Sequence, residues 1–380
     1  MRYRLSLGLL AALLTALPAG ALRLEPFPIG EETPQWDGPQ FVQADRAGNV
    51  YFLRASTLQV YAMTKKGTLG EPARLASNVT AGGTVRNAVM SPGGNRWLLL
   101  TGLSVRLFAD GKEILLPPLP WKPWSVGMLR DTPVIGVMPT PLGAHVDLDK
   151  IGTPPWFLRL DRERWSSDRD LKGVDVAELV RNGNLNDAVA EHAVFLAGDR
   201  QGKLWAARHY SYRVQRFGSG VRPLLEITVD GGKARPKKED KGIEIELSGG
   251  SRNPREATQN PRTEKGTFYA FTEKPVLLAL TEGRDGRMYF LVRTDTGGAA
   301  LDRYDPVRSV LERTSLQIKA EGGFTLAAGR DALYLAAWDG KAGRWRVSWD
   351  ALEQANWKEV ENARIDGLDA ETEEAAASLP

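Results

Sequence analysis

Six times along this chain a short polar turn runs straight into an apolar strand with period-two alternation, and no other feature narrows the fold as much. The word reads Asp45-Arg-Ala-Gly-Asn-Val-Tyr-Phe-Leu53, and it returns as Ser91-Pro-Gly-Gly-Asn-Arg-Trp-Leu-Leu99, Asp199-Arg-Gln-Gly-Lys-Leu-Trp205, Glu282-Gly-Arg-Asp-Gly-Arg-Met-Tyr-Phe-Leu291 and Gly329-Arg-Asp-Ala-Leu-Tyr-Leu335. A degenerate copy stands at Arg130-Asp-Thr-Pro-Val-Ile135. Each is the signature of a hairpin whose second strand is half buried. An apolar run precedes every turn, at 41–44, 87–90, 126–129, 193–196, 276–280 and 324–327. A further alternating run follows, at 58–63, 105–109, 157–161, 212–217, 301–305 and 345–350. Fourth strands are legible at 113–116, 223–227, 309–312 and 357–360.

The unit is therefore a four-stranded antiparallel meander. Repetition of such a unit about every 40 to 50 residues predicts an all-β chain folded as a six-bladed β-propeller. The intervals before Gly202 and Gly286 are longer and hold insertions. Residues 166–191 carry apolar side chains at helical spacing over 174–180, and 230–274 is rich in Gly, Pro and charge, with strand-like alternation only at 242–247. A seventh, degenerate blade in 230–274 is the alternative, although one alternating run does not supply four strands.

The pattern Asp-x-x-Gly-φ-φ-Tyr/Trp followed by φ-x-Arg-φ-Asp resembles NHL-type repeats and the wider group of six-bladed propellers that includes gluconolactonase-like proteins. The resemblance covers about residues 41–360 and speaks to fold, because propellers carry enzymes, binders and scaffolds alike. For a gluconolactonase-like activity it implies carboxylate and amide ligands on the inner strands around a channel calcium. Asn87 and Glu191 stand near the starts of inner strands and match that pattern; the other inner strands bring no such ligand.

Residues 1–21 read as a signal peptide. Arg2 and Arg4 precede an apolar run over 5–17, and Ala19 and Ala21 give the small-x-small pattern that places cleavage after Ala21. The run is shorter than the roughly 20 apolar residues that span a bilayer. Residues 22–365 then form one propeller domain, with insertions about 139–155, 166–191 and 230–274, and 366–380 reads as a disordered acidic tail. With no cysteine, the chain has no disulfide framework and no thiolate metal site, which fits a periplasmic or secreted bacterial protein. Without Arg2 and Arg4 the remaining basic residues nearly balance the 47 acids, so no basic field points to nucleic acid.

In a propeller the first strand of each blade lines the central channel. Loops joining strands one to two and three to four share one face; loops joining two to three, and blade to blade, share the other. The one-to-two turns here are tight, whereas the excursions at 139–155, 166–191, 230–274 and 294–299 all belong to the second class. That second face is the expected working face, since binding groups sit on elaborated loops held by a rigid scaffold. His145, His192 and His209 all map to it, with Tyr210 and Tyr212 beside the third, and Trp156 within a proline-rich aromatic cluster that includes Trp121 and Trp124. These residues are the candidate ligand contacts.

Neither nucleotide loop, zinc-protease helix nor nucleophile elbow accompanies the repeats. The reading is a non-enzymatic module of the cell envelope that binds a protein, peptide or glycan and needs no cofactor. The alternative is a lactone or ester hydrolase dependent on calcium or zinc. A quinone or haem oxidoreductase has no attachment motif to support it.

Overall fold

In a computed structural model of the protein, the six words become six antiparallel sheets closed into a ring. The structure describes residues 21–26, 40–65, 67–76, 84–102, 104–141, 155–167, 192–218, 223–233, 242–249, 262–269, 275–320, 322–337 and 343–367. Blade 1 comprises Gln40–Ala44, Val50–Arg54, Gln59–Met63 and Leu69–Arg74; blade 2, Val85–Met90, Arg96–Thr101, Ser104–Ala109 and Lys112–Ile114. Blade 3 comprises Trp121–Leu129, Thr132–Pro141, Phe157–Asp161 and Arg164–Ser166. Blade 4 has Val194–Gly198, Leu204–Arg208, Ser211–Phe217 and Pro223–Lys233, and blade 5 has Leu277–Glu282, Met288–Arg293, Gly298–Asp305 and Val310–Lys319. Blade 6 takes Phe324–Ala328, Ala332–Ala337 and Arg344–Ser348 from the end of the chain.

The repeat word is explained by what its aspartate holds. Asp45 caps its own turn by accepting from the Asn49 N–H at 2.8 Å, and it also accepts from the Tyr51 hydroxyl on the second strand at 3.2 Å. Asp199 repeats both contacts with the Lys203 N–H, 2.7 Å, and Trp205 Nε1, 3.1 Å. Asp285 and Asp331 likewise accept from Tyr289 and Tyr334. The carboxylate thereby fixes the turn and gives the buried aromatic a partner for its polar tip.

The apolar core is divided by seam. One cluster of buried side chains lies between each adjacent pair of blades, for example Phe41, Leu53, Ala88 and Trp97 between blades 1 and 2, or Val134, Val194, Leu196 and Phe217 between blades 3 and 4. Period-two alternation serves this arrangement, because successive residues of a strand face the two neighbouring seams.

Outer edges are completed from both ends of the chain. Glu25–Pro26 pairs with Arg346 and Trp345 as the fourth strand of blade 6, and just before it Leu22 donates its N–H to Ser315 O of blade 5 at 2.8 Å. After the helix α1, Trp349–Glu353, the chain runs back around the rim. Lys358–Glu359 adds a fifth strand to blade 5, and Ala363–Gly367 adds a fifth to blade 4. The run expected at 357–360 as the outer strand of the sixth unit therefore belongs to blade 5. Ala363–Gly367 also extends two residues into the segment read as a tail. Within 230–274, Gly242–Gly249 and Arg262–Tyr269 pair only with each other, and the ring has six blades. The helical spacing at 174–180 and the rest of the tail fall outside the described residues.

Closure brings blade 6 onto blade 1. Val42 N–H donates to Thr325 Oγ1 at 3.0 Å, and Arg330 N–H donates to Gly48 O at 2.9 Å. Gly48 has φ +79°, and a Cβ there would stand 2.9 Å from the Arg330 nitrogen. Gly286 has nearly the same φ, +77°, with open space around it. Both Gly→Ala substitutions incur the left-handed backbone penalty of about 1–2 kcal/mol, but Gly48→Ala also displaces the closing contact. Urea unfolding is expected to show Gly48→Ala less stable than Gly286→Ala by at least about 1 kcal/mol; equal losses would mean the closing contact contributes nothing.

Candidate functional site

The inner strands enclose an axial cavity of about 770 Å³. Every inner strand runs from the loop face toward the tight-turn face, so residue order along it sets depth. Phe41, Arg86, Asn87, Phe195 and Phe324 line the loop end; Asp45, Arg46, Arg130, Asp131, Arg200 and Glu282 line the turn end. One end is therefore largely aromatic and the other charged. Between them, backbone groups on the inner edges are met by neighbouring blades: Gln43 Nε2 donates to Ala88 O at 3.3 Å and Ser125 Oγ to Val194 O at 2.5 Å.

At the loop end the seam of blades 3 and 4 carries an aromatic cluster. His209, in the two-to-three loop of blade 4, packs edge-on against Phe195 at 4.7 Å between ring centroids, against Tyr210 at 4.7 Å and against Trp124 at 6.2 Å. Trp124, Phe195, His209 and Tyr210 are all half-buried. Next to them the Arg208 guanidinium lies 4.7 Å from the Trp156 ring centroid. Trp156 O accepts from the Val137 N–H at 3.1 Å, and Val137 O in turn lies 3.2 Å from His192 Nδ1. Strand pairing makes this convergence, because Val194 stands opposite Arg208 and Val137 is held by the start of blade 3's third strand.

Of the sequence candidates, Trp156, His192, His209 and Tyr210 thus meet in one region. Tyr212 is elsewhere in function: it is buried between blades 4 and 5, where its hydroxyl donates to Asp302 at 2.7 Å and Arg313 closes the group with contacts of 2.6 and 2.7 Å to the same carboxylate. Asp302 has no exposed surface, and a buried carboxylate of this kind holds only when paired and hydrogen-bonded. His145 and Glu191 lie outside the described residues. Asn87 lines the cavity. Sequence reading passed over Phe195, Arg208 and the charged turn end. The arginine recurring in the second position of the turn word was the signal available for the last of these.

Burial dominates the electrostatics of the cluster. It lowers the pKa of His192 to about 4, against a weaker opposing effect of the Val137 carbonyl, and lowers His209 to about 4, with the Leu277 backbone opposing and Arg293 assisting. Burial, then repulsion from Arg213, brings Arg208 down to about 9. Both imidazoles are neutral near pH 7, so the cluster presents aromatic surface. At the other end, burial raises the carboxyl of Glu282, which accepts from the Arg200 N–H at 2.6 Å.

Calcium takes six to eight oxygen ligands. Among the described residues the inner strands supply as amide or carboxylate groups Gln40, Gln43, Asn87 and Glu282, and Glu282 is engaged at the opposite end from Asn87. No group of three or more His, Asp or Glu side chains able to hold a metal occurs among the described residues. Among the described residues, which exclude Glu191, the donor set does not fit a channel calcium.

No protein-family model matches the chain, and no curated protein matches it. Among solved structures it is similar to a streptogramin B lyase (TM-score 0.45, 14% identity, 85% of this chain and 96% of that one). It is also similar to a catalytically inactive virginiamycin B lyase from Staphylococcus aureus with quinupristin (0.45, 13%, 85% and 99%) and to a gluconolactonase from Xanthomonas campestris (0.44, 11%, 87% and 91%). These are likenesses of fold.

A neutral buried histidine makes stability depend on pH. The His192 pKa is about 4 in the folded protein and about 6.5 when unfolded, so between these values only the unfolded chain takes up the proton. Its contribution is present above about pH 6.5 and is lost as pH falls toward 4, by about 3 kcal/mol at the lower limit. Urea unfolding of wild type and His192→Gln at neutral pH and near pH 4 is expected to show a smaller acid loss in the variant; identical pH slopes would contradict the assignment.

Proposed function

We propose that this protein is an exported binding module that takes a peptide or glycan at the loop end of its axial cavity. The observation that carries this reading is the half-buried aromatic cluster of Trp124, Phe195, His209 and Tyr210, which reaches the wall of a cavity of about 770 Å³ through Phe195. Concave apolar sites with a few placed polar groups are how proteins hold small ligands, and rigid aromatic rings supply contact area at low entropic cost. A sugar ring or a peptide side chain would lie on these rings, with Arg86 and Asn87 at the same end to fix polar groups.

Export is supported by the arrangement of residues 1–21 and is compatible with the fold. Cleavage after Ala21 leaves Leu22 and everything after it, including Leu24, whose side chain is buried in the seam of blades 5 and 6. Screening the mature protein against glycan and peptide arrays tests the binding reading. For the ligand found, Trp124→Ala and Tyr210→Ala are each expected to weaken binding at least about tenfold, the effect of truncating an aromatic anchor, with the melting temperature as the control for folding. Unchanged affinity in both variants would place the ligand elsewhere.

A further inference from the structure

On the inner strand of blade 2 one residue too many stands against the partner strand. Val85 lies opposite Thr101 and Asn87 opposite Leu100, so Arg86 is the extra residue of a β-bulge. Blade 3 repeats the device at its own loop end: Pro123 lies opposite Val137 and Ser125 opposite Gly136, which makes Trp124 the extra residue. A bulge bends its strand and re-aims a side chain. Two neighbouring blades thus depart from regular pairing at the same end of the ring, one at a cation and the other at a ring of the aromatic cluster. The inner strands of blades 1, 4 and 6 pair without interruption, and the bulge on blade 5 has Leu278 as its extra residue, buried in the seam with blade 6.

Arg86 is exposed and Asn87 half-buried, and both line the cavity. Neither side chain enters a hydrogen bond or ion pair among the described residues. The acids that line the cavity, Asp45, Asp131, Asp199 and Glu282, are all at the turn end. Asp45 and Asp199 stand four residues beyond Phe41 and Phe195 on their strands, about 13 Å away, which exceeds the screening length of roughly 8 Å at physiological salt. At the loop end a guanidinium and an amide therefore face the cavity with no carboxylate beside them among the described residues.

A guanidinium offers its N–H groups as a fork that matches the two oxygens of a carboxylate, and a neighbouring amide adds a donor. The main chain of the inner strands offers an extended peptide much less. Val42 N–H donates to Thr325, while Ala88 O and Val194 O accept from Gln43 and Ser125. Peptides that bind along a sheet edge rely on such backbone groups. A sugar needs only ring surface and a few side-chain donors.

We propose, on the binding reading above, that the glycan taken at the loop end bears a carboxylated sugar, with its carboxylate on Arg86 and Asn87 and its ring on the aromatic cluster. Arg86 is then the residue that sets specificity.

Oligomers of galacturonate and of glucuronate, each beside its methyl ester, are the probes, with an oligoglutamate peptide as the control for charge alone. Titration calorimetry of the mature protein is expected to show at least one of the two acids bound about tenfold more tightly than its ester, as for one charged hydrogen bond. Arg86→Gln should weaken that acid about tenfold and leave its ester unchanged, and Arg86→Lys should restore part of the loss, with melting temperatures as the control for folding. Rising salt should weaken the acid on wild type and not on Arg86→Gln. Equal affinity for acid and ester, an acid preference that survives Arg86→Gln, failure of both acids to bind, or binding of the peptide in their place would each overturn the proposal. A neutral glycan or a peptide still held through Trp124 and Tyr210 would in that event leave the binding reading standing.

Discussion

Everything in this molecule depends on closing a ring of six sheets, and the closing contact is made between residues nearly three hundred positions apart. Thr325 takes the Val42 N–H that the inner edge of blade 1 leaves unpaired, and Arg330 N–H meets Gly48 O over a turn that tolerates no side chain at that point. Behind this junction Phe52 and Tyr334 pack edge to face at 6.5 Å within the seam of blades 6 and 1. Each of the other five seams has its own apolar cluster, so the ring shares one architecture without sharing one core. The segment around Leu22 and Leu24 is laid across the adjacent seam, between blades 5 and 6.

The same turns explain why the two ends of the cavity differ in chemistry. At one end Asp45, Asp199, Asp285 and Asp331 are engaged in fixing hairpins and in holding Tyr or Trp hydrogen-bond donors, while Arg46, Arg130, Asp131 and Arg200 are exposed there. At the other end the connections are free of that constraint, and aromatic side chains from blades 3 and 4 collect around His209. Polarity along the axis is thus a consequence of strand direction: every blade enters the channel from the loop face and leaves it through a turn that must be stapled.

The propeller was legible in the sequence because turn chemistry and period-two alternation both repeat, and a repeat confirms itself. The outer strands were less legible. Glu25–Pro26 is too short to show any period, and Lys358–Glu359 looked like a local fourth strand because sequence order favours the nearest sheet, although the chain had already turned back toward blade 5. The meeting of Trp156, His192, His209 and Tyr210 could be suspected from their shared face, but the contacts depend on register and on Arg208 and Phe195, which carry no pattern of their own. Tyr212, two residues from Tyr210, belongs to the core beside Asp302. Tyr210 lies in the loop before the strand Ser211–Phe217, whereas Tyr212 is inside that strand with its side chain in the seam.

The C-terminal belt has a mechanical consequence. Because Ala363–Gly367 pairs along the outer edge of blade 4 and Lys358–Glu359 along that of blade 5, tension applied through the tail loads those hydrogen bonds one after another, as a zip opens. Blades 5 and 4 can shed their fifth strands while their four-stranded sheets stay whole. Tension at the other end acts at once on the strand that completes blade 6 and on the Leu22 contact to blade 5. A pull on one terminus strips a covering, and a pull on the other takes away the strand that completes blade 6.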